Sequence, residues 1–314
     1  MVEIKVTATV NDGTQTKTLL VKAYDAVIDE AEDLSIFNVN VGYTDGAADY
    51  STANTFDGYY ILAKDIDDSS YIHANHDTNL KLSSLTSSDA VEATARKYTG
   101  SFGLTGTFDG NGHTITNIWL SEFGLFGIVG DNGMVKNLAI ENVKFYRTAS
   151  ATYHAYTILA QNLYNAKLTN LYINQSVESK APNSGSVGGS RNWENAGYFN
   201  LVSYTCSPST IVKDCVFEVQ GTLDVYTNLQ RGGLFYLALQ NGEWENTYII
   251  SENISAACKQ KTITADAATI DGAACTLAAK YQIDGCERYT SIDKFEELTG
   301  ETYETYVANL VAGN

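Results

Sequence analysis

What this chain of 314 residues has little of narrows the field first. Proline occurs only 2 times, which excludes a polyproline, collagen-like or proline-rich linker architecture. Lys and Arg total 20 against 37 Asp and Glu, a formal net charge of -17. No basic run interrupts that acidity, so a phosphate backbone or an anionic membrane would be repelled, and nucleic-acid binding is excluded. No apolar run approaches the ~20 residues that span a bilayer, so no membrane insertion is expected. The opening MVEIKVTATVNDG has neither the basic nor the apolar region of a secretory signal. Five cysteines, Cys206, Cys215, Cys258, Cys275 and Cys286, form no zinc pattern of paired CxxC motifs. Their odd number leaves one unpaired. Buried thiols are the simplest reading, with a Cys206–Cys215 disulfide as the main alternative.

What remains is a globular composition, 44% hydrophobic and 18% charged, with 21 tyrosines. Tyrosine beside abundant Thr, Asn and Ser suits many short strands. VEIKVTATV alternates Val2, Ile4, Val6, Ala8 and Val10 against Glu3, Lys5, Thr7 and Thr9, a period of two. NDG follows as a hairpin turn, and TQTKTLLVKAY returns. A lone hairpin is marginal in water, so a neighbouring domain or a partner is expected to complete its sheet. In DAVIDEAEDLSIF, Ile28, Ala31 and Leu34 recur at three-residue spacing, enough for a short amphipathic helix.

One pattern repeats. ITNIWL (Ile115–Leu120), VKNLAI (Val135–Ile140), LTNLYI (Leu168–Ile173), VKDCVF (Val212–Phe217) and WENTYI (Trp244–Ile249) share the order apolar, any, Asn or Asp, mostly apolar, any, apolar. A second motif precedes the later four: GLFG at Gly124, TILA at Thr157, GYFN at Gly197 and GLFY at Gly233. From the start of each to the next Asn or Asp is 13, 13, 17 and 13 residues. These returns are too irregular for a propeller and lack the 3.6 periodicity of a helical repeat. They predict an all-β chain, a parallel β-solenoid whose short strands stack layer on layer. Ile118, Leu138, Leu171, Cys215 and Thr247 would form an interior column. Asn117, Asn137, Asn170, Asp214 and Asn246 would form a second column, amide over amide.

GTFDGNGHTITNI (Gly106–Ile118) places Asp109 and His113 close together, as an acid and a base would be. Gly110 and Gly112 supply the freedom of a tight corner, and Asp109 and Asn111 tolerate it. No second acidic group recurs beside them in the sequence, so a fold corner is the better reading and no catalytic residue is assigned.

FDGNGHTI, GLFG and VKNLAIENV together resemble the right-handed parallel β-helix modules of large bacterial surface proteins, including those with GLUG-type motifs. GYYILAKDID (Gly58–Asp67) and CERYTSIDKFEELTG (Cys286–Gly300) are similar to segments flanking such modules, so the resemblance covers roughly residues 26 to 300. It implies a pectate-lyase-like β-helix with short helical caps. Residues 1–25 are then the last hairpin of a bacterial immunoglobulin-like domain, and 26–100 an N-terminal cap with the first strands. Residues 101–260 are the coils, and 261–314 a capping segment with helix. It also implies a secreted or cell-surface setting within a larger protein, and a role in adhesion to a glycan or a host or partner protein. The same fold carries lyases and polysaccharide hydrolases, so fold alone does not decide activity.

The residues themselves give an enzyme thin support. Glycoside hydrolysis needs two carboxyls ~5–9.5 Å apart, whereas Glu141, Asp214, Glu218 and Glu245 are scattered among the repeats. Arg147, Arg191 and Arg231 are few for a lyase. Asp65, Asp67 and Asp68 in DIDDSS are candidate calcium ligands, but the match to an EF-hand loop fails, and a solvated acidic turn explains them as well. Binding has better material. The insertion Asn174–Gly197 is the longest between repeats and ends in Arg191, Asn192, Trp193 and Glu194, a guanidinium, an amide, an indole and a carboxylate. Tyr146, Tyr153 and Tyr156 lie in the preceding return, where they would either join the same surface or simply line the groove. A phage virion fibre or decoration protein is the remaining alternative, because such proteins need a durable β architecture assembled in a reducing cytoplasm.

Overall fold

The structure, a computed structural model, describes residues 2–10, 13–21, 24–39, 42–44, 47–49, 53–73, 102–120, 123–145, 154–177, 196–200, 202–207, 209–224, 243–250, 255–258, 261–264, 269–270, 273–274, 286–289 and 292–313. The chain is predominantly β, and its larger sheets are parallel. At the N-terminus, Val2–Val10 and Gly13–Val21 pair antiparallel, with Val2 opposite Val21 and Val10 opposite Gly13. This is the hairpin that the alternation predicts.

Three parallel sheets follow, filled in the same order by successive stretches of chain. One stretch lays Gly103–Leu104 in a five-stranded sheet, Thr107–Thr116 in a long sheet and Trp119–Leu120 in a three-stranded sheet. The next lays Ile128–Val129, Met134–Glu141 and Lys144–Phe145 beside them. Ala160–Leu163 with Lys167–Val177, and Ser203–Cys206 with Ile211–Asp224, extend the first two sheets. Glu243–Ile250 and Cys286–Tyr289 continue the long sheet, and Ser255–Cys258, paired antiparallel with Lys261–Thr264, adds to the far end of Ile211–Asp224.

Parallel strands are buried on both faces, and the long sheet follows that rule. Leu138 and Ile140 join a large core cluster, while Ala139 between them joins a second. Leu138, Leu171, Cys215 and Thr247 stand in register across adjacent strands, each no more than 1% exposed. Cys215 is a buried thiol that donates to the Lys213 carbonyl at 3.2 Å, and it is in no disulfide. The Cys206–Cys215 bridge is therefore ruled out. Phe37, Phe56, Phe108 and Phe126 fill the core by edge-to-face contacts, with Phe37 packed against the other three at 5.1–5.7 Å.

The structure corrects the first copy of the repeat. Phe108 pairs with Val135, His113 with Leu138 and Ile115 with Ile140. FDGNGH is thus the equivalent of VKNL, carrying two extra residues between Asp109 and His113 that hide the match. Thr116 pairs with Glu141 and Trp119 with Lys144, so Asn117 is the counterpart of Asn142, at the other end of the long strand. Both corners take an Asn at positive φ, 53° at Asn137 and 60° at Asn117, and that shared feature made two different corners look alike. Ile118 accordingly packs outside the Leu138 column. The GYFN copy also shifts. Thr157 pairs with Asn200 and Ala160 with Ser203, so the stretch starting at Asn200 matches TILA, and the odd 17-residue interval shrinks to 14. GLFY at Gly233 lies outside the described residues.

Two helices close the described chain, α1 (Ile292–Thr299) and α2 (Tyr303–Ala312). Thr302 caps α2 by accepting the Thr305 N–H at 3.4 Å, and Gly313 ends it at φ 72°. Closure of an open end was the expectation. Instead Phe295, Tyr303, Leu310 and Val311 cover Ala139, Tyr172, Val216 and Ile250 on the second face of the long sheet. The reason lies in that face: its apolar residues would otherwise meet water. Near the N-terminus, Ala31–Phe37 is a 3-10 helix that buries Ala31, Leu34 and Phe37, the three-residue spacing suiting its three residues per turn.

Candidate functional site

The corner asparagines of the long sheet form a polar column on its helix-covered side. Asn137, Asn170, Asp214 and Asn246 have φ values of 53°, 53°, 51° and 44°, the left-handed region that Asn and Asp tolerate best. Each amide donates toward the strand before it. Asn137 Nδ2 reaches Asp109 Oδ1 at 3.0 Å, Asn170 Nδ2 reaches Asn137 Oδ1 at 2.9 Å, and Asn246 Nδ2 reaches Asp214 Oδ1 at 2.7 Å.

Asp109 anchors one end. Its Oδ1 also accepts the Asn111 N–H at 3.0 Å, and its Oδ2 takes the Tyr59 hydroxyl at 2.5 Å and the Lys136 ammonium at 3.2 Å. Burial alone would raise this carboxyl, but the donors Tyr59, Asn137, Asn111 and Lys136 outweigh it and hold it below the usual carboxylate value. With both oxygens engaged, Asp109 has no lone pair directed at a substrate. His113 instead meets Asp65, Nδ1 to Oδ1 at 3.1 Å, on the exposed side. Only Asn111 and Gly112 adopt positive φ at this corner, 53° and 84°. Gly110 is required for space, since a Cβ there would lie 2.3 Å from the Asn137 carbonyl oxygen.

Above the column, α2 leaves a groove of about 640 Å³ lined by Thr169, Asn170, Asp214, Asn246, Glu301, Tyr306, Asn309, Leu310 and Gly313. Among the described residues its walls carry three amides, two carboxylates and a phenol, and no cation. Asn309 Nδ2 donates to Glu301 Oε1 at 2.9 Å, fixing the far wall. Burial, the neighbouring Tyr248 and the charge of Asp214 raise the Tyr306 hydroxyl well above its ordinary value, so it stays a protonated donor. Gly313 seats the end of α2 on the column, with its Cβ position 2.9 Å from Asn137 Oδ1.

A buried clamp holds that wall in place. Glu218, 1% exposed, accepts the hydroxyls of Tyr172 and Tyr303, both at 2.7 Å, and so ties α2 to the long sheet. Burial first, then the Glu218 charge, raises the Tyr172 hydroxyl; for Tyr303, burial is followed by Tyr172 and then Glu218. Glu141 is raised as well, by burial and then by Glu218.

The acidic trio near residue 65 is dispersed among different partners. Asp65 accepts from the Thr114 N–H at 2.9 Å, Asp67 from Asn117 Nδ2 at 2.8 Å, and Asp68 from the Ser70 N–H at 2.8 Å and its hydroxyl at 2.6 Å. Among the described residues no group of three or more His, Cys, Asp or Glu gathers as metal ligands would. Arg191, Asn192, Trp193 and Glu194 lie outside the described residues, as do Tyr146 and Tyr153 and the side chain of Tyr156. The repeat reading found Asn170, Asp214 and Asn246 but gave them only a structural duty. It missed Glu301, Tyr306 and Asn309, because nothing local in the sequence says that α2 folds back over the column.

No protein-family model matches the chain, and no curated protein and no solved structure matches it. Among the described residues no helix is long and apolar enough to cross a membrane.

Proposed function

We propose that the parallel sheets wind as a right-handed β-helix and that the chain is a non-catalytic binding module of the bacterial cell-surface type, taking a hydroxyl-rich glycan. The repeated strand order supports the winding, and parallel crossovers are overwhelmingly right-handed. The observation that carries the function is the polar groove. Amides and the Asp214 carboxylate on a rigid strand column face a wall bearing Tyr306, Asn309 and Glu301, and sugar hydroxyls are recognised by such convergent polar groups beside an aromatic ring. A setting outside the cell, next to an immunoglobulin-like domain that completes the N-terminal hairpin, belongs to the same proposal, and so do the GLUG-type resemblance and an auxiliary surface at Trp193.

A second reading has one observation in its favour. Asp214 and Glu301 line one groove, and two carboxylates are what a glycoside hydrolase needs. A glycan array run on the whole protein, beside a reducing-end assay on the same sugars, separates the two. Retention without new reducing ends supports the binding module. New reducing ends that vanish in Asp214→Asn establish the hydrolase. No retention on any sugar refutes the proposal.

A further inference from the structure

We propose that Asp214 marks an intentional gap in the amide column, a subsite that requires a hydrogen-bond donor from the ligand and takes a sugar hydroxyl. Thr169 pairs with Lys213 and Leu171 with Cys215, so Asn170 and Asp214 face each other on adjacent strands at one register position. Everywhere else that the column is continuous, the later residue is an Asn whose amide donates to the earlier oxygen. Asp214 is an acceptor only and cannot donate to Asn170 Oδ1. That oxygen is left with the Thr169 hydroxyl at 3.4 Å, a long contact. Asp214 in turn receives the Asn246 amide on Oδ1. Among the described residues, two acceptors therefore stand side by side with no donor between them, and both open into the groove.

Among the described residues, the groove lining offers no lysine or arginine to fill the gap. Lys213, on the strand of Asp214, turns to Glu245 at 2.7 Å. A ligand diol can donate one O–H to Asp214 and the other to Asn170 Oδ1, in a groove that Tyr306 also lines. A hydroxyl bonded to a carboxylate is a charge-assisted contact, among the stronger neutral-ligand interactions. An asparagine at 214 would instead satisfy the column internally. The aspartate thus trades column stability for an outward-facing acceptor, and this subsite rests on the glycan-binding reading above.

The test pairs binding with stability. Cellotetraose, mannotetraose and xylotetraose are titrated calorimetrically into the wild type, Asp214→Asn and Asp214→Ala, and the Tm of each protein is measured without ligand. The expected result is that Asp214→Asn raises the Tm, by completing the column, and weakens sugar binding roughly tenfold or more. Asp214→Ala should lower the Tm, because the Asn246 amide loses its acceptor, and should weaken binding as well. If the wild type and Asp214→Asn bind a sugar equally, the subsite is refuted while the binding module stands. If the wild type binds none of the sugars here or on the array, both fail. Calcium chloride alone is the last arm: a Tm increase in the wild type that is absent in Asp214→Asn would make the gap a cation site and overturn the hydroxyl assignment.

Discussion

Lowering the pH from 7.5 to 5 should expose the cost of burying His73. This imidazole is fully buried, with Nε2 2.7 Å from the Leu125 carbonyl oxygen and Nδ1 3.2 Å from the Tyr71 hydroxyl. A carbonyl can only accept, so Nε2 carries the proton and Nδ1 accepts from Tyr71. Adding a second proton would place a charge in the core and set an N–H against the Tyr71 hydroxyl. Burial therefore pushes the pKa down to about 4 from 6.5, with the Leu125 bond offsetting only part of it. The unfolded chain takes up the proton first. The stability linked to His73 is thus complete above pH ~6.5 and is lost as the pH falls from there toward 4. Integrated over that window the loss approaches ~3 kcal/mol, and about 2 kcal/mol of it is gone by pH 5. Urea unfolding of the wild type and His73→Gln across pH 7.5 to 5 measures this. Glutamine keeps a donor for Leu125 and does not titrate, and the carboxylates shared by both proteins cancel in the difference. The advantage of the wild type over the variant should shrink by about 2 kcal/mol. A pH-independent difference, or an NMR titration of His73 near 6.5, would refute the reasoning.

Two further predictions concern packing. Leu138→Asp or Leu171→Asp buries a carboxylate in a column whose members are no more than 1% exposed, and either should abolish the cooperative thermal transition in circular dichroism; a retained native transition would sink the assigned register. Tyr303→Phe removes one of two hydroxyls bonded to buried Glu218 and should cost about 2 kcal/mol in urea unfolding, with increased hydrogen exchange in α2; an unchanged exchange rate would mean that the clamp does not hold the helix.

Much of the β architecture was legible because parallel stacking writes its own period into the chain. Leu138, Leu171 and Cys215 recur at the same place after each Asn or Asp, and they do stand in register. The first repeat was misaligned for a physical reason. Thr107–Thr116 and Met134–Glu141 each have a positive-φ Asn corner near both ends, and FDGNGH carries a bulge that breaks the spacing at one of them. The groove was half legible. Its floor comes from the repeat, but its helix wall depends on which apolar face of the sheet needs cover, and Ala139, Tyr172 and Val216 declare that face only once the strand register is fixed.

Helix α2 carries one more consequence. It touches the strands Thr107–Thr116, Met134–Glu141, Lys167–Val177 and Ile211–Asp224 in turn. Four strands at ~4.8 Å spacing extend ~14 Å, and a helix of 10 residues is ~15 Å long. The helix is thus a gauge for the number of layers. Excising one whole repeat would leave every remaining strand pair matched and the interior column continuous. The same excision would slide Asn309 and Gly313 one strand out of step with the amides beneath them, so the stack can change length freely only where no helix measures it.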